Sequence, residues 1–230
     1  MAKLEPIFTR ATFQFFKDLA RNNRKVWMDE NRERYQQTVV KPFRRLLEEL
    51  SPVLLQIDSH FDTTGRKGGN FSRINRDIRF AKDKTPYRAQ MYLKCSAPFP
   101  GEGETGQLYM GISAATATAG FRIYSGSKRK ESALAMIAGA RMLARPNWLA
   151  QQKKRLSKKY ESYWYRSEKR GEWAEQKGWP TGPDDWQKLQ AWIVRRKLKP
   201  STVTQTSFTR EVEKIFRDVY PLLKFTCLED

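Results

Sequence analysis

A chain of 230 residues with 39% hydrophobic and 13% aromatic content can bury a large core, and its composition excludes a disordered protein. Its formal net charge of +19 favours polyanionic partners such as nucleic acid or anionic phospholipid, and the excess lies before residue 181, after which nine basic residues face seven acidic ones. Two cysteines, Cys95 and Cys227, without C-x-x-C spacing argue against a disulfide framework and a thiolate zinc site, and no run approaches the roughly 20 apolar residues of a membrane span, so a cytoplasmic location without membrane insertion is expected.

The opening is helical. Thr12 is the expected N-cap of a helix carrying Phe13, Phe16, Leu19 and Ala20 at three- and four-residue intervals and ending at Asn22-Asn23. A second helix is predicted over Lys25 to Gln37, with Trp27, Asn31 and Tyr35 on one face. Pro42 suits the first turn of a third, whose stripe of Phe43, Leu46, Leu47, Leu50 and Leu54 runs to about Ile57. The period then drops to two: Ala89, Met91, Leu93 and Cys95 alternate with polar residues, and Gln107 to Ser113 and Gly120 to Tyr124 read likewise, with a loop at Gly101, Gly103 and Gly106. An antiparallel sheet follows from these short strands.

Helical spacing returns over Glu131 to Ala144, and Pro146 breaks or re-caps it. A basic helix is predicted from Asn147 to Trp164, an ordered loop anchored by tryptophan over residues 166–183, a helix from Asp184 to Arg196 with Trp186, Leu189 and Ile193 inward, and a last helix capped by Ser207 and ending at Pro221. The expected architecture is one α+β domain over residues 1–230, with helices at both ends flanking a central antiparallel sheet.

Between residues 66 and 94 nine cations, Arg66, Lys67, Arg73, Arg76, Arg79, Lys82, Lys84, Arg88 and Lys94, surround two acids, Asp77 and Asp83. Such density is tolerated when side chains fan into water, pair with carboxylates or surround an anion. If residues 73–79 are extended, Arg73, Asn75, Asp77 and Arg79 face one side while Ile74, Arg76, Ile78 and Phe80 face the other. Lys82 to Pro86 then turns the chain, because the residue before proline avoids the helical region. In one reading Asp77 and Asp83 pair with neighbouring arginines and hold the turn; in another, surplus cations grip a phosphate or carboxylate. The two are compatible, since two acids cannot neutralise nine cations.

The elements N-N-R-K-V-W at Asn22 to Trp27, Tyr35, K-P-F at Lys41 to Phe43 and R-D-I-R-F-A-K-D-K-T-P-Y at Arg76 to Tyr87 resemble the family known as domain of unknown function 2461. The likeness covers most of the chain and thins after residue 125. It implies a stand-alone soluble protein of bacterial or fungal type, with a shared fold and site but no established reaction. Met28 stands where members often carry an aromatic, and Ala81 where they carry a serine.

The binding set expected from these motifs is Arg73, Arg76, Arg79, Lys82, Lys84 and Arg88, with Asn23 and Trp27 beside them, and the expected ligand bears phosphate, nucleic acid ahead of a small metabolite. The stretch after Trp148 adds Lys153, Lys154, Arg155, Lys158 and Lys159 among Tyr160, Tyr163, Trp164 and Tyr165, the make-up of a single-strand or RNA-binding surface and equally of a solvated helix with its apolar edge inward. The alternative is an enzyme acting on an anionic phosphoester, with Asp77 or Asp83 as acid, base or magnesium ligand, Lys84 stabilising charge and Tyr87 donating a proton. An interaction module for an acidic protein is a third reading. His60 is the only histidine, and no P-loop, dinucleotide fingerprint or zinc-finger spacing occurs, so no cofactor and no metal are expected.

Overall fold

The computed structural model describes residues 5–66, 69–97, 105–124, 133–169 and 172–227. Lys67, Gly101, Gly103, the expected helix start at Glu131, Arg170 and Gly171 lie outside them. The first helices are α1 (Arg10–Arg21), α2 (Lys25–Glu30), α3 (Arg32–Tyr35) and α4 (Lys41–Ile57), with a π-helical stretch Gln36–Val40 between the last two. Then come β1 (Gln90–Ala97), β2 (Thr105–Ser113), β3 (Ala117–Tyr124), α5 (Ala133–Ala144), α6 (Pro146–Leu156), β4 (Glu161–Lys169), β5 (Glu172–Lys177), α7 (Pro183–Gln187), β6 (Leu189–Leu198), α8 (Pro200–Val203) and α9 (Phe208–Cys227). The fold is α+β: an open antiparallel sheet in the order β1-β2-β3-β6-β4-β5, with helices before and after it in the chain.

The chain divides into two compact units. The first comprises Met1–Lys94, Met110–Thr118 and Lys197–Lys214. Its core is aromatic and aliphatic: Phe8, Phe15, Phe16, Leu19, Met28, Val39, Phe43, Leu46, Leu50 and Leu54 are fully buried. Phe8 meets Phe43 and Phe208 edge-on at 5.1 and 5.8 Å, the geometry that ring quadrupoles favour. The α4 stripe expected from spacing is buried throughout, each such side chain contributing about 1.5–3 kcal/mol.

Three local features of this unit depart from expectation. The first helix is capped by Thr9, whose hydroxyl accepts from the Ala11 amide; Thr12 is inside the helix and buried. Asn31 interrupts the second predicted helix, dividing it into α2 and α3. Pro42 does not begin a new helix: the backbone stays helical from Tyr35 through Lys41, and the turn before the proline widens to π geometry. Proline has no amide for the carbonyl four residues back, and its ring crowds that carbonyl. Here the carbonyl is that of Thr38, and the Thr12 hydroxyl donates to it at 2.7 Å.

The second unit comprises Cys95–Tyr109, Ala119–Arg196 and Ile215–Asp230. It corrects three expectations. The basic helix ends at Leu156, and Tyr163, Trp164 and Tyr165 lie in β4, where aromatic side chains fit a pleated surface. The expected loop over residues 166–183 contains β5, which forms an antiparallel pair with β4. The expected helix from Asp184 stops at Gln187, and Leu189 to Val194 form a strand buried on both faces. A continuous apolar run with branched and aromatic residues fits a central strand as well as a buried helix, so helical spacing alone could not separate them. Trp192 packs edge-on against Phe121, Trp179 and Trp186 at 5.2–5.6 Å and donates its indole N–H to Ser162. Gly178, at φ +90°, closes the turn beyond β5, where its own amide and the Ser162 hydroxyl complete the link.

Helix α9 also continues past its expected stop, through Pro221 to Cys227. An interior proline costs about 3 kcal/mol. Leu222 and Leu223 directly after it are fully buried, which offsets that cost.

Candidate functional site

The basic segment starts as an addition to a sheet edge. Phe71 bridges Leu93 of β1, the Ser72 amide donates to the Tyr92 carbonyl, and the Lys94 amide donates to the Asn70 carbonyl. Asn70 is buried, and its side chain accepts from the Gly65 amide and donates to the carbonyls of Asp62 and Lys94. The unpaired edge groups of β1 are thereby satisfied locally.

Beyond this anchor the chain leaves as a loop with a closed neck. Asn75 bridges Tyr87, the Arg76 amide donates to the Pro86 carbonyl, and the Arg88 amide donates to the Ile74 carbonyl, each at 2.8 Å. The expected strand, turn and return exists as this single bridge, without named strands. Arg76 braces the neck from inside: one guanidinium nitrogen donates to the Asp83 carboxylate, the Thr85 hydroxyl and the Thr85 carbonyl. Asp83 in turn accepts from the Thr85 amide at 2.9 Å. That amide, then Arg76, holds the Asp83 carboxyl down at about 2.

At the tip Arg79 makes a two-pronged contact with Asp77, at 3.0 and 2.7 Å, and this contact holds the Asp77 carboxyl below its ordinary value. Lys84 points its ammonium at the carbonyls of Ile78 and Arg79, at 3.1 and 3.4 Å. Both acids are therefore committed, and to different arginines. Among the described residues Arg73, Lys82 and Arg88 are exposed and make no side-chain ion pair or hydrogen bond. Arg66 pairs with Asp62 instead.

Phe80 was expected on the same face as Ile74 and Ile78. Ile74 is buried, but Phe80 is 95% exposed, standing out of the tip with the Arg79 guanidinium carbon 5.9 Å from its ring. The alternation that would have buried it ends where the chain bends after Ile78. Isolated exposed apolar residues need no explanation, but a fully exposed phenylalanine among cations is a side chain available for stacking.

Asn23 and Trp27 have structural partners. The Asn23 amide pairs with the backbone of Tyr87, donating to its carbonyl at 2.8 Å and accepting from its N–H at 3.0 Å. Trp27 is half-buried, 5.7 Å from the Phe15 ring. Tyr87 itself is buried. Thus the N-N-R-K-V-W element and the R-D-I-R-F-A-K-D-K-T-P-Y element meet at the backbone of one residue, Tyr87.

A family model described as "Conserved hypothetical protein (DUF2461)" matches residues 11–225. The chain belongs to that family. The match takes in both motifs of this DUF2461 member and the whole of the loop between Asn75 and Tyr87. A search of curated proteins found no match.

The other constellation disperses. Trp148 stacks on Phe225 with centroids 4.1 Å apart, Tyr160 is buried and donates its hydroxyl to Asp218, and Trp164 is buried in the second unit's core. Burial raises the Tyr160 hydroxyl far above its ordinary value. His60 is exposed and its ring nitrogen lies 2.8 Å from Asp58. Among the described residues no three of His, Cys, Asp and Glu gather as a metal cluster, and none of the helices is long and apolar enough to cross a membrane.

Proposed function

We propose that this DUF2461 member binds a phosphate-bearing ligand at the Asn75–Tyr87 loop, single-stranded nucleic acid ahead of a small metabolite. The observation that carries this reading is Phe80, 95% exposed on a loop whose neck is braced by Arg76 and Asp83. A ring held out on a constrained loop loses little freedom on stacking against a base, and Arg73, Lys82 and Arg88 supply charge for the adjoining phosphates. A small metabolite would be served by a pocket; an exposed ring with cations around it suits an extended polyanion. The chain's +19 charge acts in the same direction by raising the local concentration of such a ligand.

The enzyme reading gives Asp77 or Asp83 a proton-shuttling or metal-binding part and Tyr87 a donor's part. The observed environment suits other tasks. A carboxylate held at about 2 by an amide and an arginine is a permanent anion that braces a loop.

The test is fluorescence anisotropy with a labelled single-stranded oligonucleotide across a salt series. Binding is expected, with a log-log salt slope near 0.7 per phosphate engaged, hence about 2 for three cations. Replacing Arg73, Lys82 and Arg88 together by alanine should lower the observed slope by about 2. Absence of oligonucleotide binding at moderate salt, or binding only to an acidic peptide, overturns the proposal.

A further inference from the structure

The tyrosines of the second unit divide by strand alternation. In β4, Trp164 points into the core opposite Trp192, so Tyr163 and Tyr165 point to the other face. Their register partners place Arg195 of β6 beside Glu161, Glu175 of β5 beside Tyr165, and Trp173 beside Ser167, all on that same face. In β3, Phe121 and Ile123 are buried while Arg122 and Tyr124 are half-exposed. Tyr163 and Tyr165 meet edge-on at 6.0 Å, and Tyr165 and Trp173 lie 6.3 Å apart. The Arg195 guanidinium lies 4.8 Å from the Tyr163 ring centroid, and that of Arg122 lies 4.4 and 5.4 Å from the centroids of Tyr109 and Tyr124. Tyr109 is buried and forms the floor; Trp173 is 41% exposed at the outer strand.

We propose that this face, with Tyr124, Tyr163, Tyr165 and Trp173 interleaved by Arg122 and Arg195, is a stacking surface for the bases of single-stranded nucleic acid. Planar guanidinium groups and aromatic rings are the two protein surfaces on which unstacked bases settle, and a sheet presents them side by side at strand spacing. Planar groups select the occupant, since on this face Arg122 and Arg195 are balanced by Glu161 and Glu175 while rings and guanidinium planes dominate it. The guanidinium groups lie against rings, Arg195 also bonded to Glu161 and Arg122 to Gln107, so they offer planar faces for stacking, and the chain as a whole carries +19. The carboxylates on the face are engaged: Glu161 accepts from Arg195 and Glu175 accepts from the Tyr165 hydroxyl at 2.9 Å. An apolar membrane surface would not call for these bonded polar tips. The inference shares its partner class with the loop of the first unit and rests on that reading, but it uses different residues.

The test is photo-cross-linking of the full chain to a short single-stranded RNA substituted with 5-bromouridine, followed by mass spectrometric mapping, alongside anisotropy on three variants. Adducts are expected at Tyr165 and Trp173. The double variant Tyr165→Ala, Trp173→Ala should bind at least tenfold more weakly, with an unchanged circular dichroism spectrum and melting temperature. Phe80→Ala should leave the adducts at Tyr165 and Trp173 in place. Adducts confined to the peptide containing Phe80, with full affinity in the double variant, overturn this surface and leave the loop. No RNA binding by any form overturns both, and binding of a neutral oligosaccharide in preference to RNA overturns the assignment of occupant. If the double variant loses its melting transition, Tyr165→Phe decides in its place: it keeps the ring and should keep the adduct, and loss of the adduct there counts against stacking.

Discussion

The side-chain amide of Asn23 pairs with the peptide of Tyr87 as a neighbouring strand would, giving one hydrogen bond and taking another across 64 positions of sequence. Tyr87 is buried, so removing the amide leaves a buried N–H and a buried carbonyl without partners. Asn23→Ala should cost about 1–3 kcal/mol in urea unfolding, with an unchanged denaturant slope. Asn23→Asp keeps the acceptor and loses the donor, and should fall between alanine and wild type.

Asp83 should act through the shape of the loop. Its folded-state value is depressed to about 2 against about 3.9 in an unfolded chain, so its contribution to stability is complete above pH 4 and is lost as pH falls towards 2. Asp83→Asn should flatten that acid limb, speed proteolytic nicking between Arg76 and Thr85, and leave most oligonucleotide affinity in place. Loss of a catalytic turnover with the loop still protected from protease would support the enzyme reading instead.

Phe80 supports no packing, so Phe80→Ala should leave stability within about 0.5 kcal/mol of wild type. The same change should weaken single-strand binding by about 1–3 kcal/mol, with little change in salt slope, because a ring contributes stacking and not charge. Anisotropy and thermal melts on one preparation check both halves.

Tyr35 predicts an alkaline limb. Burial pushes its hydroxyl up to about 12 from an ordinary value near 10; the hydroxyl lies 3.9 Å from the Met91 sulfur and the ring packs against Phe15. Above pH 10 the unfolded chain releases this proton while the folded chain retains it, so stability present below pH 10 declines as pH rises towards 12. Tyr35→Phe should be nearly neutral at pH 7 and should reduce that decline in denaturation curves.

Gly120 sits where β3 and β6 approach closely. A Cβ there would collide with the Val194 carbonyl oxygen and lie 2.7 Å from the Arg195 Cα, and backbone cannot rotate away as a side chain can. Gly120→Ala should therefore cost about 1–3 kcal/mol or more in thermal unfolding, and it should disturb the Arg195 position on the sheet face.

What could be read in advance follows from which residues reveal their surroundings by spacing alone. Phe43, Leu46, Leu47, Leu50 and Leu54, and the alternation of Met91, Leu93 and Cys95, report one buried face each, and each was legible. Leu189 to Val194 was not, because a strand buried on both faces has no polar side to set its period. The pairing of Arg76 with Asp83 and of Arg79 with Asp77 belonged to one of the readings open in the sequence. The exposure of Phe80 did not, since an extended backbone was assumed to persist to residue 80. The face shared by Arg122, Tyr163 and Arg195 joins three strands remote in the chain, and only the strand order brings them together.

The contact between the Thr12 hydroxyl and the Thr38 carbonyl ties two positions that share no motif. With proline at 42 a hydroxyl at 12 has an orphan acceptor to serve, and a valine of the same shape would strand that carbonyl. Related sequences that regain an amide at position 42 are thus freed to vary at 12, so the pair should be inherited or lost together.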